Sequence, residues 1–173
     1  AAAGAGDDPP GVDLDVVIVG GGPTGVELAG GIRELVDQVL RREFPELDLA
    51  AVPVTLVEAA DRVLTPFHPR LSARAARTLR HRRVNVELGV GVDHVEADAV
   101  VLADGRRLTA GTIVWATGVR ASPVAGLLGV ELGRGGRIPT EADLSLPGHP
   151  EVFAVGDIAL PPDPLPQVAQ PAI

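Results

Sequence analysis

The sequence predicts an α/β protein in which a doubly wound parallel sheet is joined to an antiparallel meander. Short β-branched runs alternate with amphipathic helical patterns through residues 15–88, and this β-α-β-α-β order is typical of such sheets. A glycine-rich turn separates the first run from the first helix, and an Asp-Gly pair lies among the short strands that follow. These three observations indicate a Rossmann-like fold with a β-meander crossover.

The first strand and the first helix lie on either side of a run of consecutive glycines. Residues 15–19 form a β-branched run that is typical of a strand buried on both faces. From Thr24 onward apolar residues recur at spacings of three and four, which predicts an amphipathic helix. This helix should end near residues 41–44, because Pro45 disfavours helical geometry in the residue before it.

The second βα unit repeats this pattern. Residues 52–57 predict a buried strand, and residues 71–82 predict a second amphipathic helix. The side chains expected on the inner side of that helix are Leu71, Ala75, Thr78 and Leu79. Residues 84–88 then predict a third strand.

Shorter elements follow. The Asp104-Gly105 pair predicts a hairpin within a meander of three strands at residues 92–95, 99–102 and 107–109. Two further buried strands are predicted at residues 113–116 and 152–155, and a short strand near residues 137–139 interrupts the loop-like region between them.

The composition narrows the class of protein. The chain has 173 residues, 46% of them hydrophobic, which is ordinary for a folded domain. Its net charge of -8 argues against nucleic acid as the main partner, since phosphate neutralisation needs a basic face. The sequence contains no cysteine, and its 4 histidines lack the paired spacing of a metal site, so no metal is expected.

The central motif is a G-x-G-x-x-G turn between the first strand and the first helix. Gly20 permits the tight turn, Gly22 lets the backbone approach a diphosphate, and Gly25 lets the helix pack closely on the strand. Pro23 and Thr24 open the helix, whose first amides and dipole favour an anion. The motif therefore predicts a dinucleotide site, against the alternative of a glycine-rich turn that binds nothing.

Glu58 closes the second predicted strand, where a carboxylate can accept hydrogen bonds from the adenosine ribose. It would also repel a 2′-phosphate and so favour NADH over NADPH, although Arg62 weakens that exclusion. Glu58 lies 38 positions after Gly20, compared with about 20 in the usual pattern, and the insertion at residues 41–51 can absorb the excess. The alternative is a solvated charge at the end of a strand.

Two further features allow two interpretations each. Glu27 lies near the start of the first helix, where a carboxylate stabilises the helix dipole or lies beside the cofactor as a catalytic group. Six arginines between residues 70 and 83 form a basic stretch, which we interpret as a solvated helix face. An anionic surface or partner is the alternative for that stretch.

Several stretches resemble a known family. They are VVIVGGGPTGVELAG at 16–30, TLVE at 55–58 with Arg62, WATGVRASP at 115–123, VFAVGD at 152–157 and VAQPAI at 168–173. In them the chain resembles the two-dinucleotide-binding-domain flavoproteins of the pyridine nucleotide-disulfide reductase superfamily, and most closely the type II NADH dehydrogenases. The Ala-Gln-Pro ending is the stretch most particular to the quinone-reducing branch.

The resemblance implies a division of the chain and roles for single residues. It would make residues 12–122 the NADH-binding domain and residues 123–173 a return segment of an incomplete FAD-binding domain. The small, acidic and proline-terminated composition of residues 1–11 separately predicts a flexible linker. The glutamate matching Glu27 lies near the nicotinamide and the flavin in that family. Other cofactor positions that the resemblance implies are Ala116 and Gly118 for NADH, Asp157 for the flavin ribityl chain, and Ala169 and Gln170 near the flavin ring and the quinone site.

The resemblance also implies segments outside this chain. The family's first glycine motif, which holds the FAD diphosphate, should precede Ala1, and a membrane-binding amphipathic region should follow Ile173. We therefore expect an internal piece that binds NADH, holds FAD poorly or not at all, and is inactive alone. The parent protein is expected in the cytoplasm on the inner face of the cytoplasmic membrane, with membrane contact through the missing region only, and a homodimer is left open.

The predicted function is the NADH-binding portion of an oxidoreductase that passes a hydride from NADH to FAD and on to a quinone. One alternative is another FAD- and NAD(P)-dependent reductase of the superfamily, with a ferredoxin or a disulfide as its substrate. The other alternative is a nucleotide-binding module without catalysis.

Overall fold

The computed structural model describes residues 14–49 and 52–164. The chain divides into two compact units, Ala1–Thr117 and Gly118–Ile173. The predicted linker at residues 1–11 lies outside the described residues. The assignment of residues 12–122 to NADH and of residues 123–173 to an FAD domain stays a prediction.

The strands of the first unit are β1 (Val16–Val19), β2 (Val54–Glu58), β3 (Val84–Leu88), β4 (Val92–Val95), β5 (Ala99–Leu102), β6 (Arg107–Thr109) and β7 (Thr112–Trp115). Four of them form a parallel sheet in the order β3-β2-β1-β7. A separate three-stranded antiparallel sheet, β4-β5-β6, forms the predicted meander. The predicted α/β class is confirmed, with the meander as the crossover from β3 to β7.

Side chains along each strand point alternately to the two faces of the parallel sheet, and each face packs against different elements. Ile18 and Leu56 are fully buried against helical residues that include Ala29 and Leu79. Their neighbours Val17, Val19 and Val57 point to the opposite face, where they pack against Val100 and Leu102 of the meander. The helices and the meander therefore bury opposite sides of one sheet.

The helices form where they were predicted, but the residues on the inner face of the second predicted helix differ from the prediction. They are α1 (Pro23–Leu35), which continues through a π-helical turn (Val36–Leu40) into α2 (Arg41–Glu43), and α3 (Pro69–His81). The inner face of α3 consists of Ser72, Ala76 and Leu79, at i, i+4 and i+7. Leu71 and Thr78 were expected on that face, but both are exposed, Leu71 at 52%, because they lie on the adjacent side of the helix.

A buried arginine ties α1 to the segment that leads into β2. Arg33 is 1% exposed, and its guanidinium donates to both carboxylate oxygens of Asp37 and to the carbonyls of Val52 and Leu49. Arg83 donates to the same carboxylate. Burial opposes the charge on Asp37, but the hydrogen bonds and charges of the two arginines outweigh it and lower the pKa of that carboxyl.

The strand β7 corrects a second expectation. Residues 113–116 were predicted to form a buried strand, but β7 is an edge strand of the parallel sheet and its residues are half-buried or exposed. Trp115 is 59% exposed. An apolar run predicts a strand, but it does not predict whether that strand has a neighbour on both sides.

The second unit contains short strands around a small core of its own. The strand β8 (Ile138–Pro139) pairs in parallel with β11 (Ala159–Leu160), and β9 (Ser145–Leu146) pairs antiparallel with β10 (His149–Phe153). The strand near residues 137–139 is confirmed. The buried strand expected at residues 152–155 is wrong, because β10 starts and ends earlier and all of its residues are exposed.

Candidate functional site

The glycine turn lies at the edge of the sheet where the parallel strands end. The Gly20 N–H donates to the Val57 carbonyl at 2.8 Å, and the Ala116 N–H donates to the Val19 carbonyl at 2.7 Å. These bonds continue the strand pairing of β1 with β2 and with β7 beyond the ends of the strands. The carboxyl ends of parallel strands are where α/β proteins place their ligands.

Two of the glycines are required by the packing. Gly20 has φ +112°, and a Cβ on it would lie 2.4 Å from the carbonyl oxygen of Ala116. A Cβ on Gly25 would lie 1.8 Å from the carbonyl oxygen of Gly20. No side chain fits at either position, so the turn and the close approach of α1 to β1 both depend on glycine.

Gly22 differs from its neighbours because a Cβ on it would meet no atom within 4 Å. It is the N-cap of α1, where no side chain caps the helix, and it is followed by Pro23, which has no N–H. The amides of Thr24 and Gly25 therefore belong to the helix end that lacks intrahelical partners. The backbone at Gly22 is open to a ligand, and the helix dipole favours an anion there.

Glu58 is held beside this turn by backbone amides. One carboxylate oxygen accepts from the Gly21 N–H at 2.5 Å and the other accepts from the Ala60 N–H at 2.8 Å. A third bond, from the Leu64 N–H to the Gly21 carbonyl at 2.7 Å, ties the following loop to the turn. The carboxylate keeps further lone pairs for a ligand hydroxyl, since each carboxylate can accept about four hydrogen bonds.

The sequence did not indicate these two amides. Gly21 and Ala60 fix the Glu58 carboxylate, and a Cβ on Gly21 would lie 2.9 Å from the Glu58 side chain. The only sequence signal is the small size of Gly21, the middle residue of the glycine run. Arg62 does not pair with Glu58: it donates to the Thr65 carbonyl, and its Nε has no hydrogen-bond partner among residues 14–49 and 52–164.

The structure therefore brings most of the predicted positions of the first unit together at one sheet edge. They are Gly20, Gly22, Pro23, Thr24, Gly25, Glu58 and Ala116. Glu27 is exposed near the start of α1. Gly118 and Asp157 belong to the second unit, where Asp157 lies in a short 3₁₀ helix (Gly156–Ile158), and Ala169 and Gln170 lie outside the described residues.

The chemistry available at this edge is that of binding. The first unit offers backbone amides for phosphate and a fixed carboxylate for hydroxyl groups. Within the described ranges, no group of three or more His, Cys, Asp or Glu side chains is placed to hold a metal ion. The arrangement suits a nucleotide with a diphosphate and a free ribose.

Solved structures share this fold. NDH2 from Plasmodium falciparum in complex with NADH superposes with a TM-score of 0.74 at 19% identity, over 86% of this chain and 32% of that one. A ferredoxin reductase from Rhodopseudomonas palustris superposes with a TM-score of 0.69 at 25% identity, over 86% of this chain and 34% of that one.

Curated proteins are similar in sequence as well. The type II NADH:quinone oxidoreductase NdhA of Mycobacterium tuberculosis is 41% identical over 92% of this chain, and the corresponding enzyme of Haemophilus influenzae is 33% identical over 84%. The chain spans 36% and 33% of those two relatives. A family model described as pyridine nucleotide-disulphide oxidoreductase matches residues 6–173. The resemblance predicted from the sequence is thus confirmed, and the chain belongs to the pyridine nucleotide-disulphide oxidoreductase family.

Proposed function

We propose that this chain is the NADH-binding portion of a flavin-dependent NADH:quinone oxidoreductase. The observation that carries the proposal is the open backbone at Gly22, which lies at the start of α1 and beside a carboxylate fixed at the end of β2. The similarity to type II NADH:quinone oxidoreductases supports the choice of cofactor and acceptor. Because the chain spans about a third of those relatives, the complete reaction is part of the proposal.

Different residues of the first unit bind different parts of the nucleotide. The amides of Thr24 and Gly25 bind the diphosphate, which approaches the backbone over Gly22. Glu58 accepts hydrogen bonds from the hydroxyls of the adenosine ribose, because Gly21 and Ala60 hold its carboxylate in place. This carboxylate repels a 2′-phosphate and so favours NADH over NADPH.

The remaining predicted residues act nearer to the reacting groups. We propose that Glu27, which is exposed near the start of α1, holds or moves a proton beside the nicotinamide. Ala116 and Gly118 complete the NADH site, Asp157 accepts a hydrogen bond from the ribityl chain of FAD, and Ala169 and Gln170 lie at the quinone site. When both cofactors are bound, they supply the hydride and electron transfer chemistry, and the protein supplies position and electrostatics.

The proposed acceptor also suggests where the protein works. A quinone dissolved in the bilayer must be reached from the membrane surface, so we place the parent protein on the inner face of the cytoplasmic membrane. Over the ranges that the structure describes, no helix is long and apolar enough to cross a membrane. A homodimer stays a prediction.

Removing the Glu58 carboxylate should weaken NADH binding and reduce the preference over NADPH. In Glu58→Ala we expect the Kd for NADH to rise about 10-fold or more, since a hydrogen bond to a charged group contributes about 1.5–3 kcal/mol. The Kd for NADPH should rise less, because a repulsive charge is removed at the same time. Glu34→Ala, which removes an exposed carboxylate from α1, is the matched control. Calorimetric titration with NADH and with NADPH gives both Kd values for each variant. If the ratio of the NADPH Kd to the NADH Kd is unchanged in Glu58→Ala, Glu58 does not contact the ribose.

The acceptor is tested on the complete protein that contains this chain. Steady-state oxidation of NADH should be fast with a quinone and slow with a ferredoxin or a disulfide. Faster turnover with a ferredoxin or a disulfide would replace the quinone in the proposal. NADH binding without turnover on any of the three acceptors would support a nucleotide-binding module instead.

A further inference from the structure

Positive charge is concentrated in one segment of this acidic chain. Residues 62–83 contain seven of the 15 arginines and no aspartate or glutamate, which gives that segment a formal charge of about +7. The rest of the chain has eight arginines and 23 acidic residues, or a formal charge of about -15. Such an asymmetry indicates a surface with an electrostatic partner of its own.

The structure places much of this charge along one side of α3. Arg70, Arg74, Arg77 and His81, here called the basic row, follow each other at i, i+4, i+7 and i+11, so they line one side of the helix over about 16 Å. All four are exposed, and they lie opposite the inner face formed by Ser72, Ala76 and Leu79. The helix α3 has no acidic residue of its own.

The arginines of the basic row are unpaired, in contrast to several arginines elsewhere in the described residues. Arg82 pairs with Glu34, and on the meander Arg106 and Arg107 each pair with two carboxylates. Within residues 14–49 and 52–164, the guanidinium groups of Arg70, Arg74 and Arg77 have no ion-pair partner and no hydrogen bond. A row of exposed and unpaired guanidinium groups has its full donor capacity available to an outside partner.

We propose that the basic row binds the surface of a bilayer that contains anionic phospholipids, which replaces both the expectation of a solvated helix face and the expectation that only a region after Ile173 contacts the membrane. Guanidinium groups bind phosphate oxygens in bidentate fashion, and a straight row on one helix can meet a flat surface with all its members at once. Leu71 is 52% exposed beside the row, and burial of its apolar side chain in the lipid layer strengthens the binding.

A nucleic acid is the other polyanion to consider. Binding to single strands without sequence preference relies on aromatic side chains on which bases stack. Apart from histidine, α3 and the basic residues Arg82 and Arg83 that follow it contain no aromatic residue, and Phe67, two residues before the helix, is half-buried. The exposed Leu71 also finds no partner on a phosphate backbone. These observations favour the bilayer.

The test is sedimentation of the 173-residue chain with vesicles of phosphatidylglycerol and phosphatidylcholine, compared with vesicles of phosphatidylcholine alone. The wild-type chain should bind the anionic vesicles only, and added salt should release it. Arg74→Gln/Arg77→Gln should weaken this partitioning about 30-fold, since each basic residue near an anionic surface contributes about fivefold. Both side chains are exposed, so the circular dichroism spectrum and the affinity for NADH should stay unchanged, which separates this inference from the proposed function.

The matched control is Arg106→Gln/Arg107→Gln, which changes the net charge equally but on paired residues of the meander. It should retain vesicle binding within about threefold of the wild type. Equal losses of vesicle binding in the two double variants would show that binding depends only on net charge, and would overturn the assignment of the site to the basic row. Equal binding to neutral vesicles, no binding at all, or tighter binding to a DNA duplex at the same phosphate concentration would also overturn it.

Discussion

Gly25→Ala should destabilise the protein by about 3 kcal/mol or more and abolish NADH binding, because it overpacks a rigid backbone contact. The added Cβ would lie 1.8 Å from the carbonyl oxygen of Gly20, and the positions of both atoms are fixed by the backbone of the turn. No rotamer change can relieve this clash, so α1 must move away from β1. That movement would displace the amides at the start of the helix.

The control is an alanine at a glycine of the same helix that contacts nothing. A Cβ on Gly31 meets no atom within 4 Å, so Gly31→Ala should be neutral or stabilise the helix by up to about 1 kcal/mol. Urea unfolding followed by circular dichroism measures both variants. Unfolding of Gly25→Ala at the wild-type urea concentration would contradict the close contact of helix and turn.

Arg33→Leu should cost about 3 kcal/mol or more of stability, although leucine suits a buried site. The substitution leaves the carbonyls of Val52 and Leu49 without the donors that now reach them and takes two hydrogen bonds from Asp37. Arg82→Leu, which breaks an exposed pair with Glu34, should cost less than about 1 kcal/mol. Equal and small losses in the two variants would contradict the role of Arg33 as the tie between α1 and β2.

The ion pair between Arg33 and Asp37 also predicts how the stability of Arg33→Leu should depend on pH. The pKa of Asp37 is lowered in the folded state, so its contribution to stability is present above the pKa of the unfolded chain. That contribution is lost as the pH falls through the lowered folded-state pKa. Without Arg33 the folded-state pKa rises toward its ordinary value, and the stability of the variant should fall less steeply on acidification. An identical acid profile in the variant and the wild type would contradict this coupling.

Local chemistry explains which parts of the fold could be predicted. The turn from Gly20 to Gly25 was predicted because the spacing of its glycines, between a β-branched run and a helical pattern, is visible within a short stretch of sequence. The meander was predicted because Asp104 and Gly105 favour a tight hairpin, and Gly105 indeed has φ +86°. The end of the long helix followed from Pro45, since a proline restricts the residue before it.

The errors arose where burial depends on distant neighbours. Trp115 and Phe153 belong to apolar runs that predict strands, yet they are 59% and 58% exposed. A sequence run does not reveal which strand lies at an edge. The bond from Gly21 to Glu58 was missed for a related reason, because Gly21 lies 37 positions away in the chain. The π-helical turn after α1 had no sequence signal that we can name.

The central claim is that the backbone at Gly22 receives the diphosphate of NADH. Its most direct test is calorimetric titration of NADH into the wild-type chain and into Gly22→Ala. In this structure the added Cβ meets no atom within 4 Å, so the variant should unfold at the wild-type urea concentration. Saturable binding to the wild type and a loss of at least tenfold in the variant are the expected results. Equal binding by the two proteins, or no binding to the folded wild type, would contradict the claim.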